Sequence, residues 1–543
     1  MENPVTILGA NGKPIQRKVS MQLSGGNTPY DAADNSGQHM SAWQPYLWSA
    51  DGEMNMYRDR IVSRVRDVVR NDGWASGAVT RILDNVIGAN FRPISKPDYR
   101  SLAAYTGIKA FDAQWAMEFG KAVDSHWRAW ANDQGRYCDT QRNMTVAQIM
   151  RLGFRHKIID GDALAMIDWI PERIGIGRAR YATSVQVIDP DRLSNPNLRF
   201  DDMTMRGGVV IDSRGAATGY YIRRAHQGDW FSAADSVHWD LIDRETNWGR
   251  PIIVHDYDME RAGQHRGGAG IFAPVLQRLK MLAKYDGVEL DAAIINAIFG
   301  AYIESPFDPA MVEEALGDSK ELSAYQQGRA DFHSDRKISL GEARMPILFP
   351  GEKINAVTAE RPNGNFAEFE AAMLRNFASA FGLSAQQVSN NWSDVNYSSA
   401  RGAAQEAWKT LHVRRINFAH GFASPIRGAF MEESFEVDDL PLPKGAPSFI
   451  ECRTAYSKCL WMGPGRGLID TVKERAGSIL GMDGGFTTLE RESAEFDGED
   501  WEENLDQRQI EVQAFKDRGL PAPEWAGYQD FTAEETISTP GPK

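Results

Sequence analysis

The chain has 543 residues, a length that predicts about three or four domains at roughly 150 residues each. Hydrophobic residues make up 42% and aromatic residues 10%, which is enough for packed cores and excludes a generally disordered protein. The 60 basic and 74 acidic residues give a formal net charge of -14. Because strong nucleic-acid binding depends on clustered Lys and Arg, this balance argues against a protein that grips nucleic acid tightly.

Three cysteines occur without a CxxC pair, so neither a disulfide framework nor a zinc site is indicated. The first residues lack the apolar stretch of a signal peptide. The longest apolar uncharged run, 292–303, is shorter than the roughly 20 residues that span a bilayer. The sequence therefore predicts a soluble, intracellular protein with no membrane partner.

The N-terminal part combines a polar arm with two helices. Residues 1–45 are rich in Gly, Ser and Asn and predict a flexible arm. Apolar residues of 57–87 recur at helical spacing, with a break at 71–73. The arginines of the first helix alternate with acidic residues, which favours a solvated, salt-bridged face over a DNA-binding one. They are Arg58, Arg60, Arg64, Arg66 and Arg70.

The middle of the chain changes from helix to strand and back. Residues 105–158 have a helical pattern, and 163–239 contain short β-rich runs separated by turns. The segment 209–222 predicts a hairpin whose turn is Asp212 to Gly215. Since no helices separate these strands, we expect an α+β fold with an antiparallel sheet.

Two long helices and a polar loop follow the strands. Apolar residues of 271–298 predict one helix despite the Asp286-Gly287 interruption. A second helix runs from about Gly364 to Phe381, and Gly382 is its stop signal. The Asn/Ser-rich stretch after it precedes another helix, and beyond Pro441 the chain is helical and acidic.

Motifs for catalysis and metal binding are absent or weak. No GxxxxGK[ST], GxSxG or HExxH occurs, so we predict no catalytic residue, no metal and no cofactor. Weak matches remain at GIGRAR (175–180, a turn), SDRK (334–337), His333 between Asp331 and Asp335, and GPGRG (463–467, a loop or a nest of amides).

Several stretches together resemble one family. They are "RVRDVVRNDGWASGAVTRILDNVIGANFRP", "QHRGGAGIFAPVLQRLKMLAKYDGVELDAA", "WMGPGRGLIDTVKE" and, as the most specific, "FGLSAQQVSNNWSDVNYSSARGAAQEAW" with its NYSSAR signature at 396–401. The sequence resembles the portal proteins of lambda-type tailed bacteriophages from about Trp43 to Leu520.

The resemblance implies a homo-oligomeric, dodecameric ring at one capsid vertex, through which double-stranded DNA is packaged and ejected. Implied partners are the terminase large subunit, head-tail adaptors, and the major capsid and scaffold proteins. Implied locations are the virion and, during assembly, the host cytoplasm. Such a protein is not an enzyme, since a separate terminase would hydrolyse ATP.

The resemblance also implies a portal fold with wing, stem, clip and crown regions. Placed on this sequence, they are an arm (1–45), the N-terminal wing (46–268), the first stem helix (269–298), the clip (299–363), the second stem helix (364–382), the tunnel loop (383–397), a wing helix (398–440), the C-terminal wing and crown (441–520) and a loose tail (521–543).

The tunnel loop would face moving DNA. Its polar side chains offer weak, exchangeable hydrogen bonds, its acid repels phosphate, and Trp392 would touch either the duplex or a neighbouring subunit's loop. The DNA-facing residues would be Ser389, Asn390, Asn391, Trp392, Ser393, Asp394 and Asn396. The loop-to-helix signature comprises Asn396, Tyr397, Ser398, Ser399 and Arg401, and we expect Ser398 or Ser399 to cap the following helix.

Two alternatives remain open. A scaffold or minor head protein would also serve capsid assembly, but it predicts long heptads or low complexity, and neither occurs. An intracellular hydrolase would use Ser334 and Lys337, or His333. It is the weaker alternative because its motifs are short.

Overall fold

The computed structural model describes residues 41–268, 270–298, 302–304, 327–328, 331–332, 353–355, 366–393, 396–467 and 470–521. The chain separates into two units, Met1–Ser49 and Ala50–Lys543. In the described part of the first unit, the rings of Tyr46 and Trp48 stack with centroids 6.0 Å apart. The elements below belong to the second unit.

Five helices form the N-terminal part of this unit. They are α1 (Ala50–Asn71), α2 (Gly73–Val86), α3 (Tyr99–Thr106), α4 (Ala113–Ala131) and α5 (Val146–Asp160). The predicted break between α1 and α2 is confirmed. Asp72 has an extended backbone there, and its Oδ1 accepts a hydrogen bond from Ala75 N at 2.9 Å. This N-cap starts a new helix instead of continuing the old one.

Eight strands follow or interleave with these helices. They are β1 (Arg92–Ser95), β2 (Asp162–Trp169), β3 (Thr183–Ile188), β4 (Met205–Arg206), β5 (Val209–Ile211), β6 (Ala217–Arg223), β7 (Trp239–Asp243) and β8 (Ile253–Tyr257). Strands β3-β2-β8 form one sheet and β4-β5-β6-β7 another. Their ladders are antiparallel, with Ala165 of β2 opposite Val187 on one side and Val254 on the other. The predicted α+β class is confirmed.

The predicted hairpin is also confirmed. Strands β5 and β6 pair across the turn, and Gly215 has a φ of 83°, a conformation that glycine adopts without steric cost. Asp212 Oδ1 accepts hydrogen bonds from Arg214 N and Ala216 N, each at 2.8 Å. The side chain of Asp212 therefore fixes the turn that its position suggests.

The long helices come next, with two short strands between them. They are α6 (Leu276–Ile298), β9 (Tyr302–Glu304), β10 (Lys353–Asn355) and α7 (Phe366–Phe381). Helix α6 passes through Asp286 and Gly287 without a break, as predicted, and is about 35 Å long. It begins later than 269 because Gly270 has a φ of 67° and Pro274 has no backbone N–H. Most of 299–363 lies outside the described residues.

The C-terminal part is mainly helical. It contains α8 (Ala385–Ser389), α9 (Tyr397–Phe418), α10 (Ser424–Val437), α11 (Arg453–Ser457), β11 (Cys459–Met462), α12 (Thr471–Asp483), α13 (Leu489–Glu492) and α14 (Trp501–Asp517). A π-helical turn, Ala419–Ala423, joins α9 to α10. Strand β11 pairs antiparallel with β1, so the C-terminal part packs against the N-terminal part of the same unit.

Two hydrophobic cores hold this unit together. The larger contains buried side chains from α1, α2, α4, α5, α7, α9, α10 and the start of α6, including Phe119, Phe377 and Phe430. The smaller lies between the two sheets and contains Leu164, Val209 and Tyr220, among others. Among the helices described, none is long and apolar enough to cross a membrane.

The arginines of α1 were only partly interpreted correctly. Arg60, Arg64 and Arg70 are exposed, as expected. Arg58, in contrast, is 2% exposed. Its Nη2 donates to Asp162 Oδ2 at 2.9 Å, and Arg266 Nε donates to the same oxygen at 2.9 Å.

Arg66 makes a second group of ion pairs. Its guanidinium binds Asp160 at 2.8 Å, Asp189 at 3.0 Å and Asp191 at 2.7 Å. We call the two groups the ionic junction. It comprises Arg58, Arg66, Asp160, Asp162, Asp189, Asp191 and Arg266. The expected salt bridges are present, but the expectation of a solvated face was wrong for Arg58, because its carboxylate partner comes from a residue about a hundred positions away.

Candidate functional site: the loop between helices α7 and α9

The candidate loop begins where α7 ends. Gly382 follows Phe381 with a φ of 67°, and Leu383 N donates to Ala378 O at 3.0 Å. This is the left-handed helix end that the sequence predicts at Gly382. A Cβ at Gly382 would lie 2.7 Å from Thr410 Cγ2, so the chain leaves α7 in close contact with α9.

The segment 383–397 is not a continuous loop. Residues Ala385–Ser389 form α8, and Ser384 and Gln387 cap it reciprocally. Ser384 N donates to Gln387 Oε1 at 2.9 Å, and Gln387 N donates to Ser384 Oγ at 3.2 Å. Ser389 is thus the last residue of α8 instead of part of an irregular loop, and its position facing DNA stays a prediction. The pattern Ser-x-x-Gln is a capping-box signal that was readable in the sequence.

Asn390 ends α8 instead of offering free hydrogen bonds. Its φ is 56°, its backbone N donates to Gln386 O at 2.8 Å, and its Oδ1 accepts a hydrogen bond from Arg81 of α2. Asn tolerates this left-handed conformation better than most residues do. Asn390 thus ties the start of the loop to α2.

Asn391, Trp392 and Ser393 form the exposed tip. Asn391 Oδ1 accepts from Ser393 N at 3.1 Å and from Ser393 Oγ at 2.5 Å. Trp392 is 47% exposed. The carboxamide oxygen of Asn391 is occupied within the tip, so the indole of Trp392 is the largest group presented to solvent there. Asp394 lies outside the described residues.

Asn396 closes the loop by capping α9. Its Oδ1 accepts a hydrogen bond from Ser399 N at 2.9 Å, and Tyr397 is the first residue of α9. The expectation that Ser398 or Ser399 is the cap was wrong, because both lie inside the first turn. Arg401, one turn later, places its Nε 3.7 Å from Glu474 Oε1 of α12.

Two arginines of α9 that the sequence analysis did not single out bind backbone carbonyls near the ends of α7 and α2. Arg414 Nη1 donates to Phe381 O at 2.7 Å, at the C-terminal end of α7, where a cation is favourable. Burial lowers the pKa of Arg414. Arg415 Nε donates to Val86 O at 2.9 Å. Only contacts between distant segments distinguish these arginines from ordinary surface ones.

The resulting site is a short exposed tip on a fixed base. Gly382, Asn390 and Asn396 each terminate or start a helix, which leaves Asn391 to Val395 as the connection between α8 and α9. The described tip residues carry no charge, so they can touch a polyanion without binding its phosphates strongly. No pair of groups in the described part of this loop is arranged as a nucleophile and a base.

One group of described residues has ligand atoms close enough for a metal, namely Asp189, Asp191 and His226. Arg66 already binds both carboxylates, so its guanidinium occupies the position where a cation would act. The GIGRAR segment is a turn, as predicted, with Gly177 at a φ of 70°. Residues 333–337, which carry the weak hydrolase and metal motifs, lie outside the described residues.

Comparisons with known proteins agree with the sequence resemblance. A family model for phage portal proteins of the lambda family matches residues 36–415. The portal protein of Escherichia phage N15 is 31% identical over 528 residues, which cover 96% of this chain and 95% of the relative. Portal protein B of Escherichia phage lambda is 30% identical over 543 residues, covering 98% and 97%.

Among solved structures, the chain is similar to one from the neck of an empty GTA particle with C6 symmetry. The identity is 12% and the TM-score 0.42, with 80% of this chain and 92% of the other covered. The assignment rests on the sequence matches, which extend over nearly the whole chain. The chain belongs to the lambda family of phage portal proteins.

Proposed function

We propose that this protein is the portal of a tailed phage, a head-tail connector through which double-stranded DNA enters and leaves the capsid. The observation that carries the proposal is the similarity to two portal proteins over 96–98% of the chain. A relationship of that extent includes every described element. The alternatives of a scaffold or minor head protein, or of a hydrolase, have no comparable support.

The functional unit would be a dodecameric ring. Exposed apolar side chains on α6 support association, because Leu279 and Leu282 are buried whereas Leu290 and Ile294, farther along the same face, are 63% and 47% exposed. A second copy of the chain would cover this continuation of the stripe. Each subunit would then use two different faces, in a head-to-tail contact that closes by rotation.

In this ring, α6 and α7 would be the stem helices, 299–363 the clip and 441–520 the C-terminal wing and crown. The tip, together with Asp394 and Val395, would line the channel. A net charge of -14 favours a bore that repels phosphate, and weak contacts let the duplex slide. Its partners would be the terminase large subunit, head-tail adaptors, and the major capsid and scaffold proteins.

The portal itself would be a passive channel and not an enzyme. The sequence has no GxxxxGK[ST] loop for nucleotide phosphates, so ATP hydrolysis would belong to the terminase. The protein would occupy the capsid vertex of the virion and pass through the host cytoplasm during assembly.

Ring formation is the first test. We expect the purified full chain to give discrete ring-shaped particles with a central hole in negative-stain images, with one discrete mass by sedimentation. A chain that stays monomeric at high concentration over a range of salt would overturn the proposal. ATPase activity in a preparation free of terminase would overturn the passive channel but leave the ring intact.

The tip is tested separately, with Asn390 left in place because it caps α8. Trp392→Ala should leave ring formation unchanged and reduce the amount of DNA packaged or retained. Asp394→Lys should slow packaging by attracting phosphate, and the effect should weaken as salt rises. Trp230→Ala, at a tryptophan 75% exposed outside the loop, is the matched control. Loss of rings in Trp392→Ala would make the indole an interface residue instead.

A further inference from the structure

A groove on the C-terminal part of the molecule has the character of a peptide-binding site. It has a volume of 450 Å³ and lies between α9, strand β11 and the segment 488–495. Its apolar wall includes Trp408, Leu460, Trp461 and Met462. Leu460 is 42% exposed at its lip. We call it the tryptophan groove.

A buried cation, to which the described residues supply no carboxylate partner, forms part of the wall. Arg415 is 6% exposed, and its guanidinium lies 5.0 Å from the centre of the Trp408 ring. Its Nη2 donates to Asn85 O at 2.7 Å and to Pro464 O at 2.8 Å. These are neutral acceptors. Burial lowers the pKa of Arg415 to about 10, because none of the described carboxylates is close enough to offset the loss of hydration.

The exposed cations around the groove already pair with carboxylates, Lys409 with Glu406 and Arg491 with Glu495, so Arg415 is the cation of the lining that an acidic ligand would face. Lys409, His412 and Arg491 lie on its rim with Glu490 and Glu495. A ligand that combines aromatic rings with carboxylates would fill the apolar space and bring a negative charge towards Arg415. An apolar ligand without acids would leave that charge uncompensated.

The chain itself contains a segment of this chemistry. Residues 524–531 read EWAGYQDF, with aromatic residues at every third position and acids at Glu524 and Asp530. No Lys or Arg occurs from 519 to 542. This segment begins seven positions after the last residue of α14 and lies outside the described residues.

The segment is long enough to reach the groove. Helix α13, which lines the groove, packs against α14, so the chain passes close to the groove just before α14 begins. Helix α14, with its 17 residues, is about 25 Å long. Ten further residues in extended conformation span up to about 33 Å. The tail can therefore return along α14 to the groove of its own copy.

We propose that residues 524–531 bind in the tryptophan groove of the same copy, with Trp525 in the apolar space and a carboxylate of the segment facing Arg415. The tail would then be a latch that holds β11 and α13 against α9. The inference does not depend on the proposed channel function, since it concerns one chain.

Two truncations of the full chain test the latch. Removing 522–543 should speed hydrogen exchange in 405–416 and 458–464 by about tenfold, because the opening of the groove is no longer restrained. Removing only 532–543 keeps EWAGYQDF and should leave exchange unchanged. Equal exchange in the full chain and both truncations would overturn the proposal.

Peptide binding tests the contact directly. A fluorescent peptide of residues 520–533 should bind the chain that lacks 522–543, and the same peptide with Trp525→Ala should bind at least about tenfold more weakly. Leu460→Glu in the protein should weaken binding, whereas Leu241→Glu, at an exposed leucine of β7, should not. No binding, or binding unaffected by Leu460→Glu, would contradict the assignment.

A mixture of chains identifies which copy supplies the tail. Rings assembled from isotopically labelled tail-less chains and unlabelled full chains can be resolved by mass. Protection confined to the full chains supports the same-copy latch, and protection on tail-less chains overturns it in favour of a neighbouring copy. Ring formation of both truncations, measured by sedimentation, separates a failure of the latch from a failure of the proposed channel.

Discussion

The ionic junction and the loop tip are both made of polar residues, yet they have opposite environments. In the junction, Arg58 and Asp162 are 2% and 0% exposed and belong to segments far apart in the chain. In the tip, Asn391 and Ser393 are exposed and bond to each other across two residues. Polar residues that pair with distant segments are buried and hold those segments together. Polar residues that bond only to near neighbours in the chain stay exposed and can contact other molecules.

This difference explains why the two regions should respond differently to substitution. Removing one charge from the junction leaves its partners buried and unpaired, which is strongly unfavourable. Changing a side chain of the tip removes little except a contact with something outside the subunit. Stability measurements should therefore detect the junction, and packaging measurements should detect the tip.

The largest effect is expected for Asp162→Asn. Both Arg58 and Arg266 pair with this carboxylate, and its loss should lower the free energy of unfolding by about 3–5 kcal/mol. Urea denaturation or the yield of soluble protein measures the change. Asp84→Asn is the matched control, because the pair of Asp84 with Arg151 is solvent-exposed and such pairs contribute about 0–1 kcal/mol. Equal effects of the two substitutions would contradict a structural role for the junction.

A smaller effect is expected at the end of α7. Gly382→Ala should destabilise by about 1–3 kcal/mol, because φ is 67° and the added Cβ would lie 2.7 Å from Thr410 Cγ2. Gly402→Ala, in α9 with no atom within 4 Å of an added Cβ, should stabilise by up to about 1 kcal/mol. Thermal unfolding of the two variants compares them. Similar changes in the unfolding temperature of the two variants would mean that close packing at Gly382 does not fix the end of α7.

The most gradual effect, a change in the free energy of unfolding spread over about two pH units, is expected on acidification. Burial opposes ionisation of Asp162, but the charges of Arg266 and Arg58 hold its pKa well below the usual value of 3.8. Burial is likewise outweighed at Asp160, where hydrogen bonds from His156 and Arg66 lower the pKa.

Groups with a lowered pKa in the folded protein stabilise it above their unfolded pKa, and this contribution is lost as pH falls through the folded value. The free energy of unfolding should thus decrease below about pH 3.8, by about 1.4 kcal/mol per pH unit for each proton taken up on unfolding. Denaturant titrations at several pH values measure the slope. A constant free energy between pH 4 and 2 would contradict this description of the junction.

Sequence periodicity and turn chemistry predicted much of the fold. The break at Asp72, the hairpin at Asp212, the uninterrupted helix through Gly287 and the stop at Gly382 depend on neighbouring residues, so a sequence pattern contains the needed information. Helix α8 was missed although Ser384 and Gln387 form a capping-box pattern, because its five residues are too few to show a helical period.

The candidate site was predicted less completely. Its position between two helices followed from the Asn/Ser-rich composition, but the caps at Asn390 and Asn396 and the partner Arg81 did not. Arg81 and Asn390 are 309 positions apart, and no local pattern marks such a contact. The burial of Arg58 was not predicted either, because its partner Asp162 is also distant in the sequence. Alternation with acidic residues predicts a solvated arginine only when no distant carboxylate pairs with it.

Photo-cross-linking from the loop tip tests most directly whether it faces DNA. A photoreactive phenylalanine analogue would replace Trp392, and in a second preparation Trp230, in particles filled with DNA. The proposed channel predicts a protein–DNA cross-link from position 392 and none from position 230. Cross-links from position 392 only to a neighbouring subunit, with none to DNA, would contradict the assignment of the tip to the channel wall.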